Sequence, residues 1–353
     1  VNARHVRHVP GRKTDVQDCQ WLQYLHAVGL LHASFRPPAA VCAVRALVRH
    51  RDSLVRTGSE HLLRVQKALD QMNVQVHRAV TDITGETGLA ILAALIKGER
   101  NPAVLAQHRN YRCKKSEAEI VAALRGDWRP EHLFTLRQSF EAWQYHQKLI
   151  AECEVELRRQ MQGLADQTKA AVPAKLRPDK RCDEATRQHL FAKFGVDLTA
   201  VDSVNTQTAL VFLSEVGPDL SRFASADHFA SWLGLCPNNR RTGGRHLGAA
   251  TRAVANRLAT ALRLAAQSLH RVQSPLGDWF RRLKAKLGPQ PATTAAAHKL
   301  ARVLYAMIKT RTPFDPARLG NPALRQARKE NALRRAAEKL GYQLHPIKPV
   351  AVS

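Results

Sequence analysis

Residues 41–72 read VCAVRALVRHRDSLVRTGSEHLLRVQKALDQM, and the spacing of their apolar members decides the fold class. Val41, Val44, Val48, Val55, Leu62, Val65, Leu69 and Met72 recur at steps of three, four or seven, and Arg51 and Gly58 interrupt the same phase. Steps of that size place side chains on one stripe of an α-helix, which turns once in 3.6 residues. Sustained over this length they form a heptad seam. A second seam runs through Leu133, Leu136, Phe140, Trp143, Ile150, Leu157, Met161 and Leu164, broken at the same phase by Gln147 and Glu154. Two long helices joined by some sixty residues predict an antiparallel coiled-coil pair, or a meeting with further copies of the chain as a homodimer or tetramer. Plain amphipathic helices inside one bundle fit the same spacing.

Composition sets the outer limits. The chain has 353 residues, 44% of them hydrophobic, which suffices for two or three domains with real cores. Its longest apolar run, GLAILAALI at 88–96, is about half of what a bilayer span needs. With no secretory leader at its start, the chain reads as cytoplasmic and without a membrane partner. The six cysteines are scattered, with neither a CxxC pair nor a zinc-type His/Cys cluster. Lys and Arg number 55 against 29 Asp and Glu, a formal charge of +26. Positions 237–353 hold 23 of those cations and four acids, a local excess of nineteen. Such a balance selects a polyanionic partner, and nucleic acid is the natural one, since each neutralised phosphate releases counterions. An anionic membrane is a poorer match, because the basic segments carry no Trp- or Phe-faced interfacial helix.

The chain divides at 1–38, 39–172, 183–315 and a basic tail at 316–353. In the first part a helix starts near Thr14 and stops at Arg36-Pro37-Pro38. DLTAVDSVNTQTALVFLSEVG, 197–217, reads as helix, tight turn at Ser203–Asn205, helix, a layout like a helix-hairpin-helix but without its glycines. CPNNRRTGG, 236–244, is a turn-rich loop by composition. A helix is predicted from Thr251 to His270 with Val254, Leu258, Leu262, Ala265 and Leu269 inward. The tail predicts one more helix around 324–340, ordered on binding nucleic acid.

Two stretches could carry chemistry. In GRKTDVQDCQWLQYL, 11–25, Asp15 and Asp18 fall within about 80° of Leu22 and Leu25 on a helix started at Thr14, so the carboxylates share the leucine face. Two readings fit: acids balancing the helix dipole in its first turn, or ligands for a magnesium ion in an enzyme that cuts phosphodiesters. In NNRRTGGR, 238–245, Thr242 precedes two glycines amid Arg240, Arg241 and Arg245. That composition suits a phosphate cradle, a nucleophile-bearing loop or an ordinary basic surface loop.

The segments VRHVPGRKTDVQDCQWLQYLHAVGLLHASFRP (6–37), MNVQVHRAVTDITGETGLAIL (72–92), GVDLTAVDSVNTQTALVFLSEVG (195–217) and the stretch from 233 to 288 that contains CPNNRRTGGR occur in that order. In this order they resemble the DEDD transposases of bacterial insertion sequences, related to Piv-type DNA invertases and described as bridge-RNA-guided recombinases. The resemblance implies a mainly α chain: the end of a RuvC-like, RNase H-like α/β domain, long antiparallel coiled-coil helices, and a helical C-terminal transposase domain with a helix-hairpin-helix-like element. It implies four magnesium-binding acids, of which Asp15 and Asp18 match the third and fourth, and a nucleophilic serine whose place Thr242 takes. By the same resemblance, Arg240, Arg241, Arg245, Arg252 and Arg257, with Asn256, would contact backbone phosphates or a guide RNA. Two departures stand out. The first Asp and the Glu of the pattern lie upstream of residue 6, which suggests an N-terminally truncated member or an earlier start. Threonine adds a methyl group that stiffens χ1 at the attacking position. The expected activity is Mg-dependent DNA cleavage and rejoining; the alternative is a remnant that binds nucleic acid without cutting it.

Overall fold

A computed structural model of the chain describes residue 6 and residues 14–31, 34–173, 184–237, 240–243, 245–248, 250–252 and 254–319, with isolated positions from 327 to 343. In chain order the helices are α1 (Asp15–Ala27), α2 (Ala39–Gln71), α3 (Val76–Ala79), α4 (Glu86–Lys97), α5 (Pro102–Ala106), α6 (Glu117–Ala123), α7 (Pro130–Gln162), α8 (Glu184–Phe194), α9 (Thr206–Glu215), α10 (Ala226–Trp232), α11 (Arg257–Ser268), α12 (Pro275–Leu287) and α13 (Pro289–Thr310). Among the described residues, strands are confined to one hairpin, β1 (Arg240–Thr242) and β2 (Arg245–Gly248). The protein is mainly helical. No described helix is long and apolar enough to cross a membrane.

Local sequence explains most of the ends. Ser116 and Glu119 close a full capping box on α6, with Ser116 Oγ accepting from the Glu119 N–H while Glu119 accepts from the Ser116 N–H. The Glu119 carboxyl is held down to about 2, mainly by its bonds from Lys115 and Ser116. Asn101 and Ser274 cap α5 and α12, each followed by proline at the first helical position.

Two helices of 33 residues, α2 and α7, pack along each other in antiparallel sense. Val41, Val44 and Val48 share a core with Leu157, Met161 and Leu164, whereas Val65, Leu69 and Met72 share another with Leu136 and Phe140. Between the two cores the seams meet at their polar interruptions. Arg51 donates from Nε and Nη2 to Glu154 Oε1 at 2.8 and 2.6 Å. Gly58 faces His146 and Gln147, and a Cβ there would sit 3.4 Å from His146 Cβ. Without a side chain at Gly58 the helices come close enough for His61 and His146 to lie 5.1 Å apart, ring to ring. Val55, expected inward, is 39% exposed, because it falls in this stretch between the cores.

One core, at the far end of the pair, is capped by α3 to α6 and includes Ile91, Leu92, Leu95, Leu105, Ile120 and Leu124. The other joins α8 to α13 to the opposite end, around Phe194, Phe212, Phe223 and Phe229. Phe35 packs on Phe223 and Trp232 at 5.0 and 5.2 Å, so the segment ahead of α2 docks on this core. Ion pairs reinforce the join. Arg49 Nη2 reaches both carboxylate oxygens of Glu215 at 2.9 and 3.0 Å, and Arg45 donates to the Ser214 and Glu215 carbonyls. Arg187, 2% exposed, binds Asp197 Oδ2, Glu184 Oε1 and the Pro173 carbonyl. A buried guanidinium is tolerated only when its donors are met in this way.

Three expectations need correction. The first helix ends at Ala27, well short of the prolines, where the Leu30 N–H returns to the Leu25 carbonyl and closes it. The stretch 197–217 holds only one full helix: its first limb is a 3-10 turn, Leu198–Ala200, and Ser203 takes a left-handed φ of 70°. The helix predicted from Thr251 begins at Arg257, because Asn256 accepts from the Ala259 N–H and caps it there. Val254 consequently lies outside the helix and is 39% exposed. The tail helix is present at positions 327, 330, 331, 333–335, 337 and 338 and has ended in a turn at 340; the other positions of 324–340 lie outside the described residues.

Replacing Arg187 by methionine is expected to destabilise the chain by about 3–5 kcal/mol, since Asp197 would stay buried without its cation. Urea unfolding of the purified variant measures this.

Candidate functional site

The candidate catalytic loop is the hairpin. Thr242 pairs with Arg245, Arg241 with His246 and Arg240 with Gly248, and a register shift between Arg240 and Arg241 marks a bulge. The turn-rich loop expected at 236–244 is thus partly strand. The reason is the two positions, 243 and 244, between paired Thr242 and Arg245: Gly243 has a φ of 53°, as a two-residue hairpin turn requires. Thr242 is exposed on the last position of β1. The side chains of Arg240, Arg241 and Arg245 lie outside what is described.

The hairpin is rooted on α10. Pro237 and Thr251 form a bridge across its base. On one side Cys236 Sγ lies 4.0 Å from the Asp227 carbonyl, and on the other Arg252 Nη2 donates to the Ser231 carbonyl. Gly234, at a φ of 69°, lets the returning strand pass closely: a Cβ there would stand 2.6 Å from Val254 Cγ2. Behind the root, α13 brings Arg302 to within 3.4 Å of Asp227. Burial pushes the neighbouring His298 imidazole below its ordinary value, Arg302 adds to this, and Asp227 opposes it. Burial likewise lowers Lys299, whose ammonium sits 4.6 Å from the Trp279 ring centre. Sequence reading missed Asp227, His298 and Arg302, because α10 and α13 lie far apart in the chain and nothing local in either marks the contact.

Other predicted residues have defined places. Asn256 spends its side chain on the α11 cap. Arg257 Nη1 pairs with Asp52 Oδ2 at 3.0 Å, which ties α11 to α2. Asp15 and Asp18 stand in the first turn of α1, Asp15 exposed and Asp18 partly so, behind Thr14, whose hydroxyl accepts from the Gln17 N–H at 3.3 Å. Their leucine face is only half buried: Leu25 is 5% exposed and Leu22 is 41% exposed. Among the described residues no group of three His, Cys, Asp or Glu side chains is placed to hold a metal. Magnesium takes six oxygens, commonly one or two carboxylates with water and phosphate oxygens. Asp15 and Asp18 are two carboxylates one turn apart, short of a four-carboxylate set.

A mainly helical chain with an exposed, basic hairpin anchored on its C-terminal core is thereby defined. Residues 195–280, from the end of α8 into α12, match the family model described as the Transposase IS116/IS110/IS902 family, so this stretch carries a transposase domain of that kind. The chain is similar to a protein named "Probable family 20 transposase" from Pseudomonas aeruginosa, 29% identical over 124 residues, or 34% of this chain. The match spans 36% of that relative's length. Both findings support a transposase function.

Gly234→Ala is expected to cost about 1–3 kcal/mol, as overpacking against Val254 and a left-handed φ act together. Thermal unfolding gives the loss, and faster amide exchange at 240–242 and 245–248 would locate it at the hairpin.

Proposed function

We propose that this chain is a transposase and site-specific recombinase of a bacterial insertion sequence, which binds DNA and, through a guide RNA, selects its sites. The matched transposase domain at 195–280, which contains the rooted hairpin with Thr242, is the observation that carries this reading. In it the Thr242 hydroxyl attacks a DNA phosphorus. A bond forms between threonine oxygen and phosphorus, the deoxyribose oxygen leaves with a proton, and that freed hydroxyl or another strand's later reverses the link. Asp15 and Asp18 would hold magnesium, which when bound polarises the phosphate and offsets its developing charge. Arg240, Arg241 and Arg245 flank Thr242 in the chain and are assigned to the phosphates on either side of the attacked one. For Arg252, Asn256 and Arg257 the same contact competes with the clamp, cap and ion pair they already make, so their part is mainly to hold the hairpin and α11. The long helices α2 and α7 are assigned a coiled-coil role that joins copies of the chain in a homodimer or tetramer.

Purified chain with magnesium and a family-type DNA substrate is expected to give a covalent protein–DNA adduct that survives denaturation. Thr242→Ala should abolish the adduct, Thr242→Ser should increase it, and Asp15→Ala should lower it at least about tenfold. The small carboxylate set favours a second reading, nucleic-acid binding without cleavage. Retained DNA binding with no adduct even in Thr242→Ser would establish that reading instead.

Binding itself is expected to weaken steeply with salt. Arg282 is exposed and makes no ion pair or hydrogen bond among the described residues, so Arg282→Ala should reduce the slope of log affinity on log salt by about 0.9. Arg257→Ala should leave that slope unchanged, because Asp52 already holds the charge. Fluorescence titrations from low to moderate salt measure both.

A further inference from the structure

Between α2, α7, α8 and α9 lies a cavity of about 270 Å³, apart from the residues assigned to cleavage. From it we infer that the chain has a second anion site, one that takes a phosphate group. The inference does not rest on the transposase reading.

The cavity is lined by donors and cations. Arg158 of α7 faces it, partly buried, and makes no ion pair or hydrogen bond among the described residues. Arg51 borders it as well, held in place by the two bonds from its Nε and Nη2 to Glu154 Oε1, with Nη1 left over. Among the described residues at the cavity Glu154 is the one acid, against the two cations Arg51 and Arg158. Across from these groups α9 begins, ten residues long. Its cap residue Asn205 accepts the Thr208 N–H at 2.8 Å and the Ala209 N–H at 3.1 Å. The N–H groups of Thr206 and Gln207 remain as first-turn donors, and both residues line the cavity. Thr206 adds an independent sign: the residue is 8% exposed and borders the cavity, and its hydroxyl makes no hydrogen bond among the described residues.

A hydroxyl on a largely buried residue that opens only onto a cavity takes its partner from whatever fills that cavity. Here the unsatisfied groups are all donors or cations and they surround one space. A tetrahedral oxyanion with several acceptor oxygens answers all of them: guanidinium from Arg158, hydroxyl from Thr206, and two amides at the positive end of a helix dipole. The converging donors and cations answer a phosphate group, whatever carries it. The bearer is either a nucleic-acid strand or a small phosphate compound.

The test uses the full chain, 15N-labelled, titrated with inorganic phosphate at constant ionic strength while the Gln207 amide signal is followed. A saturable shift is expected, weakened about tenfold or more in Arg158→Gln and in Thr206→Val, and restored in Thr206→Ser. Arg158 has no partner among the described residues, so its replacement should leave the unfolding midpoint in place and keeps the test valid if Thr206→Val folds poorly. No saturable shift, or the same affinity in Arg158→Gln, would overturn the proposal. Nucleic-acid titrations then name the bearer. A salt slope lowered by about 0.9 in Arg158→Gln points to a strand, and an unchanged slope with phosphate binding lost points to a small phosphate compound.

Discussion

The antiparallel contact of α2 with α7 carries the rest of the structure. Each core lies at one end of this pair and draws residues from both helices, so neither core closes unless the helices meet in one register. The polar interruptions set that register. With Arg51 against Glu154 and Gly58 against His146 and Gln147, every break in one seam meets a break in the other. A slip of one heptad would bring Glu154 against Val44 in one direction, or Gln147 against Val65 in the other. Each places an unmatched polar group among apolar side chains, where burial without a partner is costly. A buried or half-buried polar pair is a modest source of stability and a strong source of specificity in this arrangement.

The same helix fixes the C-terminal core by charge. Arg45 and Arg49 hold the end of α9 through Glu215, and Asp52 holds the start of α11 through Arg257. Part of the large positive excess is therefore structural. Arg187, Arg252 and Arg257 have carboxylates or carbonyls as partners and contribute to folding geometry. In the proposed function the docking charge falls to cations with no such partner among the described residues, such as Arg282 on α12, which separates binding from scaffolding among residues that composition counts alike.

The hairpin shows how a short, glycine-containing stretch becomes a defined element. Its two strands would not persist alone in water. Anchors at both roots reach the same helix, α10, and α10 is held in turn by α13, with Tyr305 donating to the Phe223 carbonyl at 2.8 Å within the aromatic cluster. Thr242 is thus exposed on a hairpin whose base is anchored to α10, an arrangement that suits the role proposed for it.

Much of the fold was legible in the sequence. The two heptad seams, their matching interruptions, the mainly helical character and the basic C-terminal part all follow from periodicity and composition, which are local or additive properties. Candidate residues were legible as types and spacings: Thr242 between arginines and glycines, Asp15 and Asp18 one turn apart. What a residue does with its side chain was not. Asn256 became a cap and Arg257 an ion-pair partner, because their neighbours arrive from α11's own first turn and from a helix two hundred residues earlier. The cavity between α2, α7, α8 and α9 likewise brings together Arg51, Arg158 and Thr206 from three separate helices. Periodicity tells which face of an element is apolar; only tertiary packing decides which polar groups meet, since that depends on contacts between residues far apart in the chain.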